Sequence, residues 1–305
     1  MLKRLLPFGL MLTLLLMTLA QEEPAAERII TITYSGGNRS APDLRYGPYS
    51  YTHPDPLGIV ATVSNLTIYA PEAELSAPEG VLIAEAEGER QASFEGGVQV
   101  ERGRLTADGP QLTYSEATGL GVLTGNVNIT VSAREEGNDP VQISAEQAEF
   151  DVDTDTSVSS GGVQLNNGNQ SAESEELIFE EERNLAKLTS EGGQVVMRRV
   201  QDDGDELVIT ADVGRALTES DKLLAAGNVT VVDGDIVSTG DTVYYDDENS
   251  TAIVIGSPAR SENRADGTVT TGGTLLQRTD IDAVRLYSDA LDFEEADFLL
   301  TSEQN

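Results

Sequence analysis

Apolar and polar residues alternate in short runs along most of the chain. "RIITITY" (28–34), "VATVSNLTIY" (60–69) and "NVNITVS" (126–132) put apolar or β-branched residues at every second position. That is the period of a strand with one face buried. Clusters of Gly, Asn and Asp such as "GGNRS", "EEGNDP", "NNGNQ" and "VDGD" separate the runs. These residues suit tight turns and positive φ angles. Only "AESEELIFEEERNLAKL" (172–188) has letters that favour a helix. It is nevertheless read as strand, because it fits the repeat frame of its neighbours.

That frame emerges from "TGNVNITV" (124–131), which returns as "AGNVTVVD" (226–233). With Gly125 as anchor, the apolar positions two and four residues on are Val127 and Ile129. The same arrangement follows Gly96 (Val98, Val100), Gly161 (Val163, Leu165), Gly193 (Val195, Met197) and Gly227 (Val229, Val231). Gly256 starts a degenerate copy, with Pro258 and Arg260 in the apolar places. Between anchors runs a second motif of apolar, small and acidic residues. It is seen in "LTADGPQL" (105–112), "ISAEQAEF" (143–150) and "ITADVGRA" (209–216), and more loosely in "SAESEEL" (171–177) and "STGDTVYY" (238–245). Each unit of about 30 residues is predicted to hold a glycine-started strand, a turn, a second strand carrying the small–acid pair, and a short strand returning to the next glycine. The glycine permits a tight entry or a bulge. The acid marks a solvated face or a bend. One unit cannot bury its own apolar face, so neighbours must stack into a continuous core.

The residues expected to point inward are Val98, Val100, Leu105, Val127, Ile129, Ile143, Phe150, Val163, Leu165, Val195, Met197, Ile209, Val229 and Val231. Period-two alternation buries them together. It leaves open whether they meet other side chains or a ligand. The fold predicted is all-β. A parallel β-helix is disfavoured by the uneven spacing of the anchors.

Two segments depart from the pattern. Residues 1–20 carry Lys3 and Arg4, an apolar run from Leu5 to Leu19 and small residues at Thr18 and Ala20. This is the anatomy of a secretory signal peptide cleaved near Ala20–Gln21. The run is shorter than the ~20 residues of a spanning helix. Residues 35–58 are rich in Gly and Pro, with Tyr46, Tyr49, Tyr51 and the sole histidine, His53, and read as an irregular arm. The organisation expected is a signal peptide at 1–20, an N-terminal strand and irregular segment at 21–59, and a repeat domain at 60–305.

Composition narrows the function. The formal net charge is −34 and there is no cysteine, so disulfides are absent and packing must hold the fold. Nucleic acid is excluded as a partner, because phosphate contacts need Lys and Arg. No Lys follows the glycines at phosphate-loop spacing. Asp151, Asp153 and Asp155 have calcium-loop spacing, but Thr156 and Gly162 stand where an EF-hand needs Gly and Glu. A solvated acidic hairpin is the preferred reading. His53 has no Cys or second His beside it in sequence, which excludes a His/Cys zinc site and leaves nucleophilic catalysis one base. Carboxylates are plentiful, but there is no Trp to stack a sugar. No enzyme activity, metal or cofactor is predicted.

The frame "A-D/E-x-x-x-apolar … G-N-V-x-V" resembles the OstA-like repeat of the LptA family of periplasmic lipopolysaccharide-transport bridge proteins, shared with the N-terminal domain of the outer-membrane assembly protein. Residues 105–130, 209–231 and 238–256 carry it best. The resemblance implies an elongated antiparallel β-jellyroll, or β-taco, whose apolar groove holds lipid acyl chains. The fourteen inward residues would then line that groove. It implies a periplasmic location, lipopolysaccharide or another envelope lipid as partner, and end-to-end assembly with similar jellyroll proteins or with further copies of itself. The degenerate Gly256 unit and the acidic tail (292–305) are expected to cap one end of the stack. The alternative is a structural or adhesive cell-surface β-repeat scaffold with a filled core that binds calcium at its acidic turns.

Overall fold

The computed structural model describes residues 28–304 apart from 202, 203, 290 and 292. The predicted signal peptide lies outside the described residues. Six short strands come first: β1 (Thr31–Thr33), β2 (Asn38–Ser40), β3 (Tyr49–Thr52), β4 (Ile59–Val63), β5 (Leu66–Ala70) and β6 (Glu72–Ser76). The strands then lengthen through β7 (Gln91–Arg102), β8 (Leu105–Ser115), β9 (Leu120–Val131), β10 (Val141–Asp151), β11 (Thr156–Asn167) and β12 (Gln170–Glu180). Next come β13 (Leu185–Thr189), β14 (Val195–Val200), β15 (Glu206–Ala211) and β16 (Val213–Leu217). The series ends with β17 (Lys222–Asp233), β18 (Ile236–Asp246), β19 (Thr251–Asn263), β20 (Thr268–Arg278) and β21 (Ala283–Leu286). Every pairing among the described residues is antiparallel, as in β8 with β9 and β17 with β18. The all-β expectation holds, and so does the strand reading of 172–188. There Ala172, Ser174, Leu177 and Phe179 point inward while Glu173, Glu175 and Glu176 face water. The segment 35–58 is more regular than its composition implied. It contributes β2 and β3, and Tyr51 is buried in register with Ala73.

Five of the six anchor glycines, Gly96, Gly125, Gly161, Gly227 and Gly256, sit in mid-strand and not at strand starts, which corrects the expected unit. Gly125 and Asn126 form a two-residue bulge in β9 opposite a single residue, Glu146, of β10. Both adopt left-handed backbone, with φ of 90° and 64°. Glycine does so freely, and asparagine more readily than other residues. This is why the repeat spells Gly-Asn or Gly-Gly. Hydrogen bonding resumes beyond the bulge, so the predicted "returning strand" and "glycine-started strand" are two halves of one strand. A unit therefore holds two long bent strands, not three short ones. At the fourth anchor the left-handed residue is Gly192 rather than Gly193, in the turn between β13 and β14. At the sixth, the insertion runs over Gly256–Pro258, so Ala259 and Ser261 point inward in place of Pro258 and Arg260.

Bending the long strands at the same level folds the sheet on itself. The halves on one side of the bends form one layer and the remaining halves the facing layer. Their inward residues merge in one apolar cluster running from Ile30 to Leu275. This is the jellyroll expected. The acids of the small–acid motif lie at the bends, where Asp212 Oδ2 accepts a hydrogen bond from Asn228 Nδ2 (2.8 Å).

The C-terminal tail lies across the outer face of the sheet instead of capping its end. Phe298 packs on Leu224, Tyr244, Ile253 and Leu276, the outward neighbours of core residues. Arg215 Nη1 donates to Glu303 Oε2 (2.6 Å) and Lys187 Nζ to Glu303 Oε1 (2.7 Å). These apolar outward positions would otherwise be wet, so the tail gains more from them than from the strand edge.

Candidate functional site: the interior and its seam

All fourteen residues expected to point inward are buried, at no more than 5% exposure. Register places Ala107, Ile129, Ile143, Leu165, Ala172, Met197, Ile209 and Val231 on one continuous row across β8–β17. Val100 extends it through β7. Thirteen of the fourteen belong to the layer that contains Ile129 and its register partners. Phe150 alone belongs to the facing layer. Sequence reasoning missed most of that facing wall, including Leu112, Leu123, Leu177, Phe179, Leu188 and Tyr245. The signal was present, because the alternation runs on both sides of the bends, as at Leu123 before Gly125 and at Leu177 and Phe179 after Glu175.

The interior between the layers is largely filled. A pocket of about 30 Å³ remains, lined by Leu165, Ala172, Met197, Leu207 and Ile209 from one layer and Leu188, Ala216, Leu223 and Tyr245 from the other, with Gln170, Ser171, Arg198 and Arg199 on its solvent side. The apolar row ends at Ser238. Its Oγ lies 2.9 Å from Ser261 Oγ and 2.7 Å from Gln277 Oε1, and Gln277 Nε2 donates to Asp233 Oδ2 (3.0 Å). A buried polar network thus closes the interior on that side. Two further buried hydroxyls, Ser157 and Ser159 in β11, have no hydrogen-bond partner.

Where the two layers meet opposite the bends, their strand-connecting turns form two rims joined along a seam. Arg102 Nε donates across it to Glu181 Oε1 (2.8 Å), and Arg102 Nη1 to Asp151 O (2.9 Å). Arg104 Nη2 donates to Asn184 Oδ1 (2.7 Å), Asn167 Nδ2 to Thr218 O (2.7 Å) and Arg199 Nε to Asp247 Oδ1 (2.7 Å). Burial pushes the Glu181 carboxyl up, and Arg102 opposes the shift. Burial likewise pushes Glu116 up, but hydrogen bonds from Arg90 and from the Ile30 and Gly88 amides outweigh it and hold that carboxyl below its ordinary range. Glu116 and Arg90 fasten the N-terminal strand rather than the seam.

The other sequence features have structural partners. Asp153 pairs with Arg28, Asp155 Oδ1 accepts from Asn65 Nδ2 (3.0 Å), and Asp151 Oδ1 accepts from the Asp153 amide (2.9 Å). Among the described residues no cluster of His, Asp or Glu has the arrangement of a metal site. His53 Nε2 lies 3.1 Å from Ser35 O, and its Nδ1 accepts from the Asp55 amide (3.0 Å). It orders its own loop.

Comparison with known proteins bears on this interior. Residues 142–251 match the family described as LptA/(LptD N-terminal domain) LPS transport protein. Among solved structures, the chain is similar to LptH, the LptA-homologous periplasmic component of the lipopolysaccharide transport device from Pseudomonas aeruginosa. The identity is 13%, the alignment covers 39% of this chain and 84% of that one, and the TM-score is 0.36. No curated protein matches the sequence.

Proposed function

We propose, from the match of residues 142–251 to the LptA/(LptD N-terminal domain) LPS transport family, that this protein is a non-catalytic periplasmic carrier of a lipopolysaccharide-like envelope lipid, holding acyl chains between its two layers. The observation that carries the reading is a coincidence of place. The family segment contains Ile143, Leu165, Met197, Ile209 and Val231 of the unbroken apolar row, and the interior pocket lies among them. The signal-like residues 1–20 agree with export. Bridging to the outer membrane, and end-to-end assembly with other jellyroll proteins or with copies of itself, extend the same reading.

The apolar gain of a bound chain, reckoned from water, is set against the cost of opening the packed interior. A twelve-carbon chain buried at ~0.8 kcal/mol per methylene gains roughly 10 kcal/mol. Parting the rims breaks a handful of hydrogen bonds worth ~1 kcal/mol each, or about 2 where a charge takes part. Loading must also part the inner side chains, because the pocket of about 30 Å³ is far smaller than such a chain.

The test is photocrosslinking in cells, with a photoreactive residue at Ile129, Leu165 or Met197 and at the outward Thr130 as control. Lipid adducts at the inward sites alone support the carrier. Their absence at every inward site defeats it. The small volume of the interior pocket, about 30 Å³, favours a second reading, a β-repeat scaffold whose core is its own filling. That reading expects no adduct at any position and no change in melting temperature when lipid is added.

A further inference from the structure

Midway along the seam is a cavity of about 180 Å³ between the rims. Its floor is Val131 and Val141, register partners that are buried in the apolar interior. Its walls come from both rims and include Asn167, Asn184 and Thr218, each at least nine-tenths buried. Asn167 uses its amide nitrogen on Thr218 O, and Asn184 uses its amide oxygen on Arg104. The Asn167 carbonyl oxygen and the Asn184 amide nitrogen therefore line the cavity without a protein partner. Neither atom is sealed from solvent, so both are open to a ligand that enters, and one acceptor and one donor at a polar opening above an apolar floor match a hydroxyl-bearing headgroup joined to a chain.

The charges at the cavity select among such headgroups. Asp139, Glu219 and Asp221 line it against one cation, Arg104. That guanidinium already donates to Ser132 O, Glu181 O and Asn184 Oδ1 and lies 3.7 Å from Glu219. It is committed to protein oxygens. A phosphate would enter beside three carboxylates without a free cation, on a chain of net charge −34. Like charges at short range repel.

Given the lipid-carrier reading, on which it rests, we infer that the seam cavity is a headgroup site for a lipid that bears hydroxyl or amine groups and no phosphate. The cavity would seat a sugar-like head while the chain passes Val131 and Val141 into the interior.

The test titrates the exported full-length chain by calorimetry, in one detergent, with monoglucosyl diacylglycerol, bisphosphorylated lipid A and methyl glucoside. The glucosyl lipid should bind at least tenfold tighter than lipid A, and methyl glucoside should not bind at lipid concentrations. Asn184→Ala should weaken the glucosyl lipid. Asp139→Asn combined with Asp221→Asn, both solvent-facing and compatible with folding, should narrow the gap by strengthening lipid A. Lipid A binding as tightly as the glucosyl lipid would overturn the headgroup inference and leave the carrier reading standing. Equal binding of methyl glucoside would turn the cavity into a soluble-sugar site and overturn the lipid assignment of the seam. Binding of neither lipid would defeat the carrier reading itself, and this inference with it.

Discussion

Gly125 and Pro110 stand back to back at the bend of adjacent strands: a methyl group on Gly125 would fall 2.8 Å from the Pro110 ring. The glycine also holds φ of 90°. Both constraints act together in Gly125→Ala, which is expected to cost roughly 2 kcal/mol from backbone strain and crowding. Asn126→Gly relieves left-handed strain at the other bulge residue and should leave stability within about 0.5 kcal/mol of the parent. Urea unfolding of both variants checks the pair. Equal losses would show that the bulge is not under conformational control.

Glu116 sets an acid limit on the fold. Its side chain is buried and accepts from Arg90 Nη2 at 2.7 Å and from the Ile30 amide at 2.9 Å. Its folded carboxyl titrates below the ordinary value of 4.5. The sign follows from linkage. The stabilisation is complete above that ordinary value and drains away as pH falls through the lower folded one. Glu116→Gln leaves Arg90 buried without its counter-charge and should cost about 3 kcal/mol at pH 7. The difference between parent and variant should shrink as pH drops below about 4, measured by thermal melts across pH.

Ser159 is fully buried between Ala148 and Leu177 on the inner face, with an unpartnered hydroxyl. Desolvating that group without a hydrogen bond opposes folding. Ser159→Ala should therefore raise stability by about 1 kcal/mol, seen as a higher urea midpoint at unchanged slope. A lower midpoint would show that the hydroxyl is bonded through buried water.

The tail predicts a local effect. The Phe298 ring meets Tyr244 edge-on with centroids 6.0 Å apart, on an apolar patch outside the main core. Phe298→Ala should free residues 293–301 for proteolysis while the principal unfolding transition shifts by no more than about 1 kcal/mol, because sub-global opening is decoupled from the main sheet. Limited digestion followed by mass analysis tests this. Cooperative loss of the whole fold would make the tail an integral part of the core.

The alternation at Val127 and Ile129, and its return at Val229 and Val231, determined strand identity, the inward face and the repeat without any structure. Local sterics and burial act on each strand separately, so one strand's letters suffice. The Gly-Asn pair also carried its meaning in the sequence, because few residues tolerate two successive left-handed conformations. Only the tertiary structure decided that Gly125 lies inside a strand, that Phe150 faces Ile143's layer from across the interior, and that Arg102 reaches Glu181 to close the rims. Those relations depend on which side of a bend each half-strand falls and on pairing between residues distant in sequence, 79 positions apart for Arg102 and Glu181. They are set by packing the two layers against each other, and no local stretch of sequence encodes that.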